Sequence, residues 1–308
     1  MSSVTNKAVT LDAPCKVNLT LDVGLPRADG FHDIDSIVAV FAPPADDITV
    51  RHTPGAAKGV LLICKHVPDG FPKGPENLAH RAAVAFQEQF QIPGRVFVKL
   101  DKRLPVQAGL GGGSSDAAAV LIALNRLTEA ATMEQLRDIA ASLGSDVPLF
   151  LQEGQPVRMR GRGELIDPLP HPLPTLYGVL VKPEVGVPTG PAYAALDALP
   201  DRAPGESTLR FLDALAKGSG VRKLASLLHN DFESAILPAY PDVAAAHRSV
   251  KTAGALRALL SGSGSAIFGL AESRDHARTL VKNLCGQYPW VKMATSIIAV
   301  PDKTATTQ

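Results

Sequence analysis

The 308-residue chain is short of cysteine, of aromatic rings and of charge imbalance, and each shortage removes a class of explanation. Cys15, Cys64 and Cys285 stand far apart with no Cys-x-x-Cys pair, so neither a zinc ribbon nor a disulfide framework is available. A reducing cytoplasm is the expected location. Lys and Arg total 31 against 30 Asp and Glu, a formal charge of +1, which disfavours nucleic acid as a partner because nucleic-acid binding leans on basic excess. Long apolar runs are missing too. The longest, Ala117–Leu124, falls well below the roughly 18 residues of a membrane span, so no membrane association is expected. Lys7, Asp12 and Lys16 precede any apolar stretch, which argues against a secretory signal. What is present is ample core material, with 45% hydrophobic residues, together with 26 Gly and 25 Pro for tight turns. The length suits two domains.

Hydrophobic spacing predicts mixed secondary structure. Leu11–Val23 alternates, with Val17, Leu19 and Leu21 on one face and Lys16, Asn18 and Thr20 on the other, as in a strand. Further strands are expected at Ser36–Phe41, Ile48–Arg51, Val60–Cys64 and Arg95–Leu100. Helices are expected over Pro75–Phe90, over Ser114–Leu127 (opened by two serines and an aspartate), and over Thr132–Leu143. Thr132 with Gln135 makes a capping box for the last, and Gly144 closes it. A Gly/Arg/Pro-rich stretch at Gly154–Gly163, followed by Pro168, Pro170, Pro172 and Pro174, sets the expected division into residues 1–160 and 161–308. Beyond it come a strand at Leu176–Lys182, several helices, a Ser-Gly turn at 261–265, a strand at Ala266–Ala271, a helix from about Asp275 and a last strand near Val291–Val300. Thr304–Gln308 reads as disordered. Strands and helices that do not alternate strictly indicate α+β halves.

The strongest chemical signal is Gly109-Leu-Gly-Gly-Gly-Ser-Ser115 directly before an Ala-rich helix. Glycines let backbone N–H groups converge, and a helix start adds unpaired donors and the positive end of the dipole, so the segment is suited to phosphate. It is not a Walker A loop, since no Gly-Lys-Ser/Thr occurs, and it does not fit GxGxxG. Gly144-Ser-Asp-Val-Pro148 places a carboxylate just past a helix end, where Asp146 taken alone reads first as the cap of the next turn. Lys16 beside Asn18 is unusual for a first strand that must pack a core. Ser261-Gly-Ser-Gly-Ser265 reads as a hairpin turn.

Taken together, Pro14-Cys-Lys-Val-Asn18, Arg27-Ala-Asp-Gly-Phe-His32, Glu76-Asn-Leu78, the Gly-rich loop, Gly144–Pro148, Pro188-Thr189, Asn230-Asp231 and Ser261–Ser265 resemble one family over about Ala13 to Pro301. It is the branch of the GHMP kinase superfamily that phosphorylates 4-diphosphocytidyl-2-C-methyl-D-erythritol in non-mevalonate isoprenoid precursor synthesis. The resemblance implies an α+β fold, with a ribosomal-protein-S5-like N-terminal domain, a ferredoxin-like C-terminal domain and the active site in the cleft between them. It implies ATP as phosphoryl donor, with Mg²⁺, and transfer to the 2-hydroxyl of a small-molecule acceptor. Asp146 would be the general base and Lys16 its charged partner. Pro105, Val106, Gln107, Ala108, Gly109, Leu110, Gly111, Gly112, Gly113, Ser114 and Ser115 would hold the phosphates, with Ser114 or Ser115 near the metal and Asn77 near the adenine. Asn18 and Thr189 would orient the acceptor, His32 would read the cytosine edge, and Phe31 and Tyr193 would sandwich the ring.

Three positions depart from the pattern: Phe31 where Tyr is common, Cys15 for the usual Ala, and Gln107 where a small residue is commoner. Homoserine, mevalonate or sugar kinases of the same superfamily would share the loop but not Phe31-His32. A ligand-sensing relative would be expected to lack Lys16 or Asp146, and both are present.

Overall fold

The computed structural model describes residues 7–297 apart from positions 153, 201 and 204. The chain runs through β1 (Ala8–Asn18), β2 (Thr20–Pro26), β3 (His32–Thr53), β4 (Gly59–Lys65), α1 (Leu78–Gln89), β5 (Arg95–Asp101), α2 (Gly112–Thr128), α3 (Met133–Leu143), a 3₁₀ turn at Pro148–Leu151, β6 (Val157–Gly161) and β7 (Leu165–Pro168). It continues with β8 (Tyr177–Lys182), α4 (Thr189–Asp197), α5 (Ser207–Ala216), α6 (Val221–Ala225), β9 (His229–Asn230), α7 (Glu233–Ala239), α8 (Pro241–Thr252), β10 (Arg257–Leu260), β11 (Ile267–Ala271), α9 (Arg274–Leu284) and β12 (Trp290–Thr295).

The first sheet has the order β4-β5-β3-β2-β9, with β1 and β6 also on β3 and β7 on β6. Helices α1, α2 and α3 cover it through a core that includes Phe86, Ala117, Ala118, Leu121 and Leu136. The second sheet, β10-β11-β8-β12, is antiparallel throughout. Its strands in chain order take positions three, one, two and four of the sheet, the ferredoxin-like arrangement that the resemblance implied. A second cluster joins the two halves, with Cys15, Val17, Leu19, Ile37 and Phe41 packing against Leu180, Phe211 and Phe268. Cys15 lies fully buried there, a small packed residue. Among the described residues no helix is long and apolar enough to cross a membrane.

Several expectations need correction. The strand expected over Leu11–Val23 breaks at Leu19, where β1 hands over to β2. The two strands expected at Ser36–Phe41 and Ile48–Arg51 are one, β3, because Ala42, Pro43 and Pro44 are accommodated as a bulge: Pro14 pairs with Ala45 and Cys15 with Phe41. Proline has no N–H for the ladder, and a bulge removes the demand. The first sheet also runs past residue 160, since β7 pairs with β6 and β9 adds to β2 in parallel. A cut between 160 and 161 therefore passes through a hairpin. The last strand is shorter than Val291–Val300, whose final three residues, like Thr304–Gln308, lie outside the described ones. The capping box of α3 is present as expected, with Gly144 at its end.

Candidate active site

Between the sheets lies a cleft of about 1180 Å³ lined from both halves of the chain. Its floor begins with β1. Lys16 and Asn18 share a face of that strand, and Lys16 Nζ donates to Asn18 Oδ1 at 2.7 Å. Asn18 Nδ2 in turn donates to Ser36 Oγ (2.8 Å), whose hydroxyl donates to the Thr20 carbonyl (2.6 Å). This relay holds the ammonium in place with its side chain only 8% exposed, 3.7 Å from Asp146 Oδ2. Asp146 sits in the turn after α3, and its side chain is 37% exposed to the cleft.

The Gly-rich loop forms the wall above. The α2 ladder opens with Ser115 N–H donating to the Gly111 carbonyl at 2.9 Å, so the amides of Gly112, Gly113 and Ser114 are first-turn donors with no carbonyl four residues back inside the helix. Gly111 precedes them at φ 70° and ψ 14°, in the left-handed region. The helix thus starts two residues earlier than Ser114, and neither serine caps it. Ser114 lines the cleft, whereas Ser115 is fully buried, its hydroxyl unpartnered on the far side of α2. Ser115 is therefore removed from the phosphate contacts expected of it: both its hydroxyl and its amide are turned elsewhere. The rest of the loop, Pro105 to Ser114, lines the cleft.

The loop is held in place by the second sheet. Ser261–Ser265 joins β10 to β11 as a hairpin turn, and it also clamps the loop. Ser265 N–H donates to the Gln107 carbonyl (3.3 Å), Ala266 N–H to Ala108 (3.1 Å), and Ser261 Oγ to Gly109 (3.1 Å). Asn230 braces the turn from beneath through Nδ2 bonds of 2.8 Å to the carbonyls of Leu260 and Gly262. Gln107 takes a positive φ of 48° at the loop entrance.

Asn77 is the second correction. It is buried and caps α1, its Oδ1 accepting from Ala79 N–H at 2.8 Å while Nδ2 donates to the Pro72 carbonyl at 2.8 Å. It holds the Pro68–Pro72 segment, which lines the cleft, and does not face the cleft itself.

At the opposite end stand Phe31, His32 and Tyr193. Their arrangement differs from a sandwich of Phe31 and Tyr193. Tyr193 stacks on His32 (centroids 4.8 Å, 28° apart) and meets Phe232 edge-on. Phe31 is 51% exposed and lies beneath the Arg162 guanidinium. His32 Nε2 is 2.9 Å from Asp197 Oδ1, and Arg202 pairs with the same carboxylate at 2.7 Å. Thr189 opens α4 with its hydroxyl 3.4 Å from Ser263 Oγ.

Sequence reading missed a buried cluster behind the loop. Lys102 Nζ contacts Asp46 Oδ2 at 2.5 Å and Asp116 Oδ2 at 2.8 Å, and Asp46 also accepts from the amides of Arg103 and Leu104. A lone aspartate in an Ala-rich helix was the available signal, because a carboxylate there needs a buried partner. Burial alone would lower the Lys102 ammonium, but the two carboxylates override it and raise it. Burial pushes Asp116 up from 3.8 to about 8, against the pull of Lys102. The folded state therefore keeps a proton on Asp116 through the window from about pH 4 to pH 8 in which the unfolded chain has lost it, so this group makes stability fall as pH rises across that window. Asp116→Asn is expected to remove this slope, so that its Tm gains on wild type between pH 5 and pH 8.5; a pH-independent Tm difference would refute the assignment.

Two family models match the chain: "GHMP kinases N terminal domain" over residues 77–154 and "GHMP kinases C terminal" over residues 211–289. Fold and cleft thus define a GHMP kinase. The 4-diphosphocytidyl-2-C-methyl-D-erythritol kinase of Moorella thermoacetica is 42% identical over 284 residues, covering 91% of this chain and 96% of that protein. A crystal structure of 4-(cytidine 5'-diphospho)-2C-methyl-D-erythritol kinase superposes with a TM-score of 0.78 at 37% identity, over 94% of this chain and 99% of that one. Homoserine kinase from Cytophaga hutchinsonii shares the fold alone, at 22% identity and a TM-score of 0.69 over 97% and 96% of the two chains. The chain belongs to the 4-diphosphocytidyl-2-C-methyl-D-erythritol kinase family.

Proposed function

We propose that this chain transfers the γ-phosphoryl group of ATP to the 2-hydroxyl of 4-diphosphocytidyl-2-C-methyl-D-erythritol, a step of non-mevalonate isoprenoid precursor synthesis. The observation that carries the reading is the Lys16–Asp146 pair at 3.7 Å in the same cleft as the open amides of α2, with Phe31, His32 and Tyr193 at its other end. Phosphoryl transfer asks for positioning and charge neutralisation, and these groups supply both.

Asp146 accepts the hydroxyl proton as the oxygen attacks the γ-phosphorus and ADP leaves. Lys16, fixed by Asn18 and 3.7 Å from that carboxylate, faces the charge that spreads over the transferring oxygens. The amides of Gly112, Gly113 and Ser114 hold the donor phosphates, and Thr189 orients the acceptor. Magnesium accompanying ATP would screen the phosphate oxygens. It usually keeps several waters and leans on substrate phosphates, so the Ser114 hydroxyl on the cleft wall, with the nucleotide's own oxygens, fits it. His32 and Tyr193 receive the cytosine as a preformed stacked pair, with Phe31 on the open side.

A coupled ATP-consumption assay tests the reading. Turnover is expected with the cytidyl substrate, with kcat/KM on homoserine or mevalonate lower by at least about 10⁴-fold, because polar groups built for cytosine are left unpaired by either. Comparable turnover of homoserine or mevalonate would transfer the chain's activity to another GHMP substrate class.

A further inference from the structure

Among the described residues, three Lys or Arg side chains line the cleft, Lys16, Lys102 and Arg162. Two are committed: Lys16 to Asn18 and Asp146, Lys102 to Asp46 and Asp116. Arg162 differs. Its guanidinium has no carboxylate partner among the described residues and lies over the exposed Phe31 ring, Cζ 4.8 Å from the centroid. Its place is built by the hairpin that carries it. β6 registers on β3 through the pair Ile34–Gly161, and the tip turns through positive φ at Gly161 (66°) and Gly163 (103°). Gly163 N–H donates to the Arg160 carbonyl at 3.0 Å, and the Glu164 carboxylate accepts the Arg162 amide at 2.6 Å. A Cβ added to Gly163 would stand 3.5 Å from Ser145 Cβ, so the tip abuts the residue next to Asp146. The tip thus spans the gap between the aromatic end of the cleft and the carboxylate.

We propose that Arg162 binds the diphosphate that joins the cytidyl end of the acceptor to its polyol end. The inference rests on the substrate reading above: with cytosine at Phe31 and His32 and the hydroxyl at Asp146, the linker passes the hairpin tip. A planar guanidinium matches diphosphate oxygens in bidentate fashion, and stacking on Phe31 holds it in the cleft without neutralising it. Arg162 is thereby a specificity residue for nucleoside diphosphate esters over bare nucleosides.

The test is calorimetry of CDP and of cytidine, with the phosphate loop filled by a non-hydrolysable ATP analogue, on wild type, Arg162→Ala and Arg162→Lys. Wild type is expected to prefer CDP by about tenfold or more, and Arg162→Ala to bring the ratio near one with cytidine affinity within about twofold. In turnover, Arg162→Ala should raise KM for the cytidyl substrate about 10- to 100-fold with KM for ATP unchanged, and Arg162→Lys should recover part of the loss. A wild-type preference for CDP that survives in Arg162→Ala overturns the role of Arg162 alone, as does a parallel loss of CDP and cytidine, which would mean Arg162 only supports Phe31. A wild type that binds neither ligand overturns the substrate reading together with this one.

Discussion

Asp146→Asn is expected to lower kcat by about 10²–10⁴-fold, the usual cost of losing a general base. The substitution is nearly isosteric, and asparagine keeps the side-chain shape beside Lys16 but cannot take the hydroxyl proton. Asp146 lies on the turn after α3, 37% exposed, and bears no buried packing load, so Tm should stay close to wild type. The nucleotide phosphates are assigned to α2 amides on a different element, so ATP affinity by calorimetry should change by no more than a few-fold. Retained kcat would remove Asp146 from the mechanism. A collapse of ATP affinity alongside kcat would mean that the carboxylate acts through the loop instead.

Gly109→Ala is expected to lower Tm by on the order of 10 °C and to weaken ATP binding more than tenfold, a combined cost of about 2–5 kcal/mol from left-handed strain and overpacking. Gly109 has a φ of 71°, and a Cβ there would overlap the Ser261 carbonyl oxygen and come within 3.1 Å of the Gly264 nitrogen. Both obstacles are backbone in the clamping turn, so neither can swing aside, and relief requires the loop to leave the second sheet. Gly113→Ala is the control. Its added Cβ meets only Leu78 Cδ1 at an ordinary 3.7 Å, in helical backbone, so Tm should move by no more than about 2 °C. Equal Tm for Gly109→Ala and wild type would mean that the clamp does not hold the loop. Gly112, at the centre of the glycine run, is a different case: its backbone is helical, and the nearest obstacle to a side chain there is Lys102 Nζ at 3.1 Å.

Local chemistry was legible in the sequence wherever neighbours along the chain do the work. The capping box of α3 needs only Thr132 and Gln135 three residues apart, and the Lys16–Asn18 bond needs only the two-residue repeat of a strand. The ferredoxin-like sheet followed from the resemblance, because strand order is a property of the whole family pattern. The start of α2 was misplaced because serine is a strong cap by propensity, while here three-dimensional packing lets Gly111 turn the chain first. Asn77 carries one side chain with two possible destinations, and only the fold shows it spent on Ala79 and Pro72.

What the sequence by itself determined is the set of groups: a glycine-rich helix start, a lysine and an aspartate, a histidine next to one of the scarce aromatics. What the tertiary structure decided is which of them face one another. Lys102 joins Asp46 across 56 positions and Asp116 across 14, and Arg162 comes over Phe31 from a hairpin 131 residues away. Periodicity reports the face of an element, but a buried charge or an unpaired cation is defined by partners from other elements. Those partners are chosen by the packing of the sheets and helices, not by spacing along the chain.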